Sequence, residues 1–216
     1  AAVFPGKEST GALLPMLILG DLFAVAWYRQ HAQWKIVLRL LPWILPGLLL
    51  GAWMLRIMDD RHFYPLLGGM VLVLIGVQAA RDRGGEWMEK RLPHEAWFAA
   101  LIGLAAGFAT MVGNVAGAIM GIYLIAMGLD KRSFMGTGAW YYLLVNCAKV
   151  PLSAGLGLIT ASSLLFNLAM APLVVLGAFA GLAAFRRIPQ NVFNGAVVLL
   201  AGLAALRLIW MGCRGD

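Results

Sequence analysis

The sequence predicts an all-α integral membrane protein, an inverted repeat of helical bundles with a glycine-rich broken helix or re-entrant hairpin. Three observations carry that expectation. Of 216 residues, 62% are hydrophobic and 12% charged, with a mean hydropathy of +0.82, whereas soluble domains carry roughly 25% charged residues. A motif recurs at an offset of 130 residues: Pro42, Gly47, Gly51, Arg56 and Phe63 fall on Pro172, Gly177, Gly181, Arg186 and Phe193. One apolar run, 97–127, is too long for a single crossing and too short for two, since a ~30 Å hydrocarbon core takes about 20 helical residues.

The apolar runs fall at 11–28, 38–57, 65–80, 97–127, 136–159, 163–185 and 191–211. The first three form a first repeat, residues 1–80. The charged "RDRGGEWMEKRLPHE" at 81–95 is a cytoplasmic linker, and residues 96–216 form the second repeat. Runs 136–159, 163–185 and 191–211 correspond to 11–28, 38–57 and 65–80. Run 97–127 has no counterpart, so the first repeat is expected to lack an N-terminal hairpin of about 35–40 residues. The opening "AAVFPGKEST" has neither the basic start nor the apolar core of a signal peptide.

Two legs of about 15 residues within 97–127 rise ~22 Å each, past the midplane but not through the bilayer. Such a hairpin is tolerated where protein or a water-filled cavity covers it. If the segment returns, the Lys and Arg residues outside the membrane divide eleven to five, with Arg29 and Arg187 among the majority; a single crossing gives nine to seven. The positive-inside rule favours the return and makes the majority side cytoplasmic. The net charge of +7 thus sets orientation in a bilayer and is no nucleic-acid signal. Each half then crosses three times, which inverts one against the other. Transporters of that architecture bind substrate near the midplane, where helices are discontinuous.

Glycine costs about 1 kcal/mol relative to alanine inside a helix, yet "GLAAGFATMVGNVAGAIMG" at 103–121 holds five of them. Gly103, Gly107 and Gly121 have the spacing that lets helices approach closely. Gly113, Asn114 and Gly117 would form the hairpin tip, where backbone N–H groups are released and the partial positive charge of a helix N-terminus suits an anion.

Lys149 stands about 13 residues into run 136–159, in "YYLLVNCAKVPLSAGLGLI". An ammonium at membrane depth marks an ion path or a paired charge, unless it snorkels to an interface. Asn146 shares a helical face with Lys149 and with Tyr142, and Pro151 would free carbonyls beside the lysine. Asp21, the acidic residue well inside a run, has three readings: fixed partner of Lys149, proton carrier, or helix-end residue facing water. Thr137 could face the hairpin tip, and Ser133 reads as an N-cap.

Metalloprotease, serine-hydrolase and phosphate-loop motifs are absent from the sequence. His31, His62 and His94 all lie in loops, so an enzyme, a metal site or a cofactor is not expected. Cys147 and Cys213 have no metal-ligand spacing and read as packing residues.

The second half, through "GFATMVGNVAGAIMGIYLIAMGLDKRSFMGTGAWYYLLVNCAKVPL", resembles the TauE/SafE family, the sulfite exporter or organosulfur-anion permease group. In the first half, "LLPMLILGDLFAVAWYRQHAQWK" resembles the family's corresponding helix with its Asp. The resemblance implies two related halves, each opened by a glycine-rich broken segment. It further implies transport of small sulfur-containing anions such as sulfite, thiosulfate or sulfonates, driven by an ion gradient. Carried over by position, Asn114, Thr137, Asn146 and Lys149 become the substrate site, beside Gly113 and Gly117, with Asp21 as coupling or pairing residue. The family often has Pro after the small residues at the tip, where this chain has Ala118, so a softer backbone break is expected. The expected partners are the anion, the bilayer of the cytoplasmic membrane and, optionally, a second copy in a homodimer. A passive anion channel and a non-transporting membrane assembly subunit are the alternatives.

Overall fold

A computed structural model describes residues 10–57, 69, 72–73, 75–76 and 95–214. The predicted linker at 81–95, apart from Glu95, and most of run 65–80 lie outside the described residues, as do Phe63 and the side chains of Arg186 and Cys213. Every element among the described residues is helical: α1 Leu14–Tyr28, a 3-10 turn Arg29–His31, α2 Trp34–Ile57, α3 Ala96–Gly113, α4 Ala116–Ala126, α5 Lys131–Gly155, α6 Ala161–Arg187 and α7 Gln190–Arg214. Four of these hold stretches long and apolar enough to cross a bilayer: Trp34–Ile57, Ala96–Gly113, Ala161–Phe185 and Gln190–Arg207. Only 6% of the span in α6 and 11% of that in α7 are buried. Leu165, Leu168 and Leu176 on α6 are among the apolar side chains left exposed, a surface that water does not tolerate in contiguous patches. The chain is a multi-pass membrane protein.

Contacts divide the chain into two units, Ala1–Val37 with Asp130–Val192, and Leu38–Leu129 with Phe193–Asp216. In the first unit α1 packs against both α5 and α6. It runs antiparallel to α5: Gly11 meets Leu158, Asp21 meets Asn146, and Tyr28 meets Gly136. A methyl group on Gly136 would stand 2.6 Å from the Tyr28 carbonyl oxygen, so only glycine allows this approach. Against α6, α1 runs parallel and in steady register. Asn167 donates to the Ala12 carbonyl at 2.7 Å, and the Phe23–Phe179 and Tyr28–Phe185 ring pairs follow at 6.0 and 5.5 Å.

The ends of these helices are tied by polar groups. Asp130 is the N-cap of α5, accepting from the Arg132 amide, while the Ser133 hydroxyl also reaches the Asp130 carboxylate. Ser133 therefore supports the cap from the third helical position and is not itself the N-cap, because the helix starts five residues before the apolar run. The Thr160 and Ser163 side chains form a capping box at the start of α6. Its far end is held by Lys131, whose Nζ donates to the Ile188 carbonyl at 2.5 Å and the Phe185 carbonyl at 3.3 Å. Cations at a helix C-terminus satisfy its unpaired carbonyls in this way.

In the second unit α2 and α3 run side by side on glycines. Backbone of Gly47 faces Leu104 and Gly107, and Gly107 faces Ile44 and Leu48. A methyl on Gly51 or Gly103 would meet Met111 Cβ at 2.7 Å or Trp43 Cβ at 2.8 Å. Gly103 and Gly107 are thus packing residues: Gly103 faces Leu40 and Trp43 on α2, and Gly107 faces Ile44, Leu48 and the motif glycine Gly47. Gly121 is buried within α4. The 97–127 run is two helices, not one. Phe98 near the start of α3 stacks on Tyr123 near the end of α4, ring centroids 6.1 Å apart. A continuous helix over those residues would separate them by roughly 37 Å, so the chain doubles back between α3 and α4.

Candidate substrate site

The reversal is made at Asn114, which adopts φ 55° and ψ 27°. It is the one residue other than glycine with positive φ among the described residues, and asparagine is among the few side chains that tolerate that region. Its N–H bonds back to Ala109 and Thr110, and the Val115 N–H reaches Ala109 at 3.3 Å. These bonds satisfy the last carbonyls of α3 as a left-handed C-cap does. The first structural cause of Asn114 is therefore the turn itself. Gly113 closes α3, while Gly117 lies exposed in the first turn of α4. No side chain caps the N-terminus of α4, and the first amides of a helix have no intrahelical acceptor. The Ala118 N–H closes a turn onto the Val115 carbonyl at 3.3 Å, a bond that a proline there would forbid.

In the other unit, α5 carries a buried polar stripe. Thr137, Lys149 and Ser153 are each 0% exposed, and Asn146 is 5% exposed. The Asn146 side-chain amide donates to an Asp21 carboxylate oxygen at 2.7 Å across the α1–α5 contact. Asp21 lies in the middle of α1 and half-buried, which removes the helix-end reading. Lys149 follows Asn146 by three residues, on the same face of α5. Protein encloses it wholly, so its ammonium does not snorkel to an interface. Taking such a charge out of water costs several kcal/mol, and no gain in packing requires a lysine there.

Thr137 has a different setting. Its Oγ1 accepts from the Gln33 backbone N–H at 2.9 Å, just before α2 begins. Twelve residues of helix place it about 18 Å from Lys149 along the axis. The structure thus pairs Asp21 with Asn146, sets Lys149 one turn beyond Asn146 on α5, and leaves Thr137 at the other end of that helix. Two residues of the stripe escaped sequence reading, Tyr141 and Ser153. Both are fully buried, with hydroxyls that have no hydrogen-bond partner among the described residues. Ser153 lies four residues after Lys149, and that spacing was the available signal; Tyr142 drew attention in place of its neighbour. Cys147 is exposed, contrary to the packing role expected, because it lies off the buried face of α5.

A family model, described as sulfite exporter TauE/SafE, matches residues 1–208. The chain belongs to the TauE/SafE family. It is accordingly a membrane transporter of the kind that handles sulfur-containing anions, and not an enzyme. No curated protein and no solved structure matches it. An anion crossing a bilayer needs countercharge and hydrogen-bond donors where hydrocarbon offers neither. Among the described residues there is no cluster of His, Cys, Asp and Glu suited to a metal.

Proposed function

We propose that this TauE/SafE protein is a secondary transporter of sulfite, thiosulfate or small sulfonates in the cytoplasmic membrane, working by alternating access with an ion gradient. The observation that carries the reading is Lys149, a fully buried ammonium one helical turn from the Asn146–Asp21 hydrogen bond. Lys149 is the countercharge for the substrate. Asn146 orients Asp21, and Asp21 carries the coupling proton or fixes the charge balance when the substrate leaves. In the second unit, the uncapped start of α4 at Gly117 and the turn at Gly113 and Asn114 offer backbone donors to an anion. Thr137 serves the architecture by holding the start of α2.

The finer architecture belongs to the same proposal. The α3–α4 reversal is read as a re-entrant hairpin: α4, at 11 residues, rises only about 16 Å, short of a ~30 Å core. The repeats 1–80 and 96–216, joined by the cytoplasmic linker 81–95, are inverted. Support comes from α1 and α5, equivalent at the 130-residue offset, which run in opposite directions.

Uptake of labelled sulfite, thiosulfate and small sulfonates into proteoliposomes, with and without a pH gradient, tests the proposal. Saturable flux that follows the gradient is expected. Flux that rises linearly with concentration and ignores the gradient would indicate a channel.

A further inference from the structure

Two cavities adjoin at the end of the first unit where α1 finishes and α5 begins. One is an apolar groove of about 430 Å³ between α1 and α6, floored by Gly20, Ala24, Ala178 and Gly181. A side chain added at Gly20 or Gly181 would meet nothing within 4 Å among the described residues. The other cavity, about 520 Å³, is lined by Trp27, Tyr28, His31, Lys131, Arg132 and Phe185. Three of those six are basic and none is acidic. Trp27, Tyr28 and Phe185 line both, so the groove runs into the basic cavity.

Chemistry distinguishes the candidate occupants. A small free oxyanion would use the basic cavity and leave the groove bare. A helix docked on Gly181 would fill the groove and bring no anion to the cations. An amphiphile with a negative head and an apolar tail matches both at once. The cations are disposed for such a head. Lys131 is fixed over the Phe185 ring at 5.1 Å by its bonds to the α6 carbonyls. His31 Nδ1 is buried without a hydrogen-bond partner among the described residues. Arg132 is exposed and offers five donors to phosphate oxygens. The neighbouring carboxylate, Asp130, is occupied by its cap bonds to Arg132 and Ser133. Trp27, 51% exposed at the junction, is the residue type that gathers at headgroup level, and basic pockets between membrane helices bind acidic headgroups.

We propose that the first unit binds one anionic phospholipid, its phosphate held by His31, Lys131 and Arg132 and an acyl chain lying in the α1–α6 groove. This goes beyond transport and does not depend on Lys149. The test uses the full chain in nanodiscs of phosphatidylcholine doped with phosphatidylglycerol, with retained lipid counted by native mass spectrometry. One phosphatidylglycerol per chain should be kept in preference to phosphatidylcholine. Arg132→Gln should reduce that preference roughly fivefold, from the ~1 kcal/mol each cation supplies near a membrane surface. Gly181→Leu, which fills the groove, should release the lipid while the helical content stays unchanged. Equal retention of the two lipids by the unmodified protein would overturn the proposal. So would protection against heat by inorganic phosphate equal to that by phosphatidylglycerol, which would mark a free-oxyanion site. A change in oligomeric state in Gly181→Leu, with phosphatidylglycerol still retained, would assign the groove to a helix and overturn the acyl-chain placement.

Discussion

Burying an ammonium costs several kcal/mol unless something repays it, and Lys149 is fully buried, one helical turn beyond the Asn146 amide that holds the Asp21 carboxylate. Breaking one partner of a buried charged arrangement costs roughly 2–5 kcal/mol. Lys149→Ala should therefore weaken substrate binding by about 30-fold or more, read as KM or lost flux in proteoliposomes, with insertion intact. Thr137→Val makes the contrast. It strands the Gln33 N–H, at a cost of about 1–3 kcal/mol, so melting should fall by several degrees while KM stays unchanged. Asn114 has two roles that substitution can separate. Asn114→Gly keeps the positive φ and should fold normally, whereas Asn114→Val strains it by ~1–2 kcal/mol. If Asn114→Gly transports with normal KM, the side-chain amide does not touch substrate. Lys149 and Asn146 stand out in the sequence as polar groups in an apolar run, and the structure buries both. The Thr137–Gln33 hydrogen bond was not legible, because its partners lie more than a hundred residues apart.

Helix contacts sort the glycines by what surrounds them. Gly107 faces α2 backbone, so Gly107→Ala forces the helices apart and should cost about 1–3 kcal/mol, as overpacking does. Gly181→Ala meets open space among the described residues and should be neutral or stabilising by up to ~1 kcal/mol. Parallel melting curves of the two variants would check the pair. The motif itself could not reveal the difference, since Gly47 and Gly51 look identical to Gly177 and Gly181 in sequence, and only the presence of α3 separates them. At the head of α5, Asp130 is held below the usual carboxylate range by the Ser133 hydroxyl first; burial opposes that, and the Arg132 and Ser133 backbone amides and the neighbouring His31 add to it. A lowered folded-state value means the cap's stabilisation is full above the ordinary carboxylate pKa of ~3.9 and is lost as pH falls through the lowered value. Asp130→Ala should cost about 1 kcal/mol at neutral pH and lose that effect in acid. Helix starts such as this one were misjudged from hydropathy alone, because charged residues in a first turn fall outside an apolar window.

Across the whole molecule, membrane residence was written in composition, and the reversal within 97–127 in its length and glycines. The register of α1 along α6 was not, because long-range pairing leaves no local signature in uniformly apolar helices. The proposed inversion of the repeats has a direct check: cysteines placed at residue 9 and at residue 130 should react with a membrane-impermeant reagent from opposite and cytoplasmic sides respectively. Labelling of both from one side would argue against inversion. The central claim is that Lys149 carries the substrate's countercharge in a coupled carrier. The most direct test compares initial rates of radiolabelled sulfite uptake by wild-type and Lys149→Ala protein in proteoliposomes under an imposed pH gradient. Saturable, gradient-dependent uptake by the wild type and its loss in a folded variant are the predicted result. Equal uptake by the two would contradict the account.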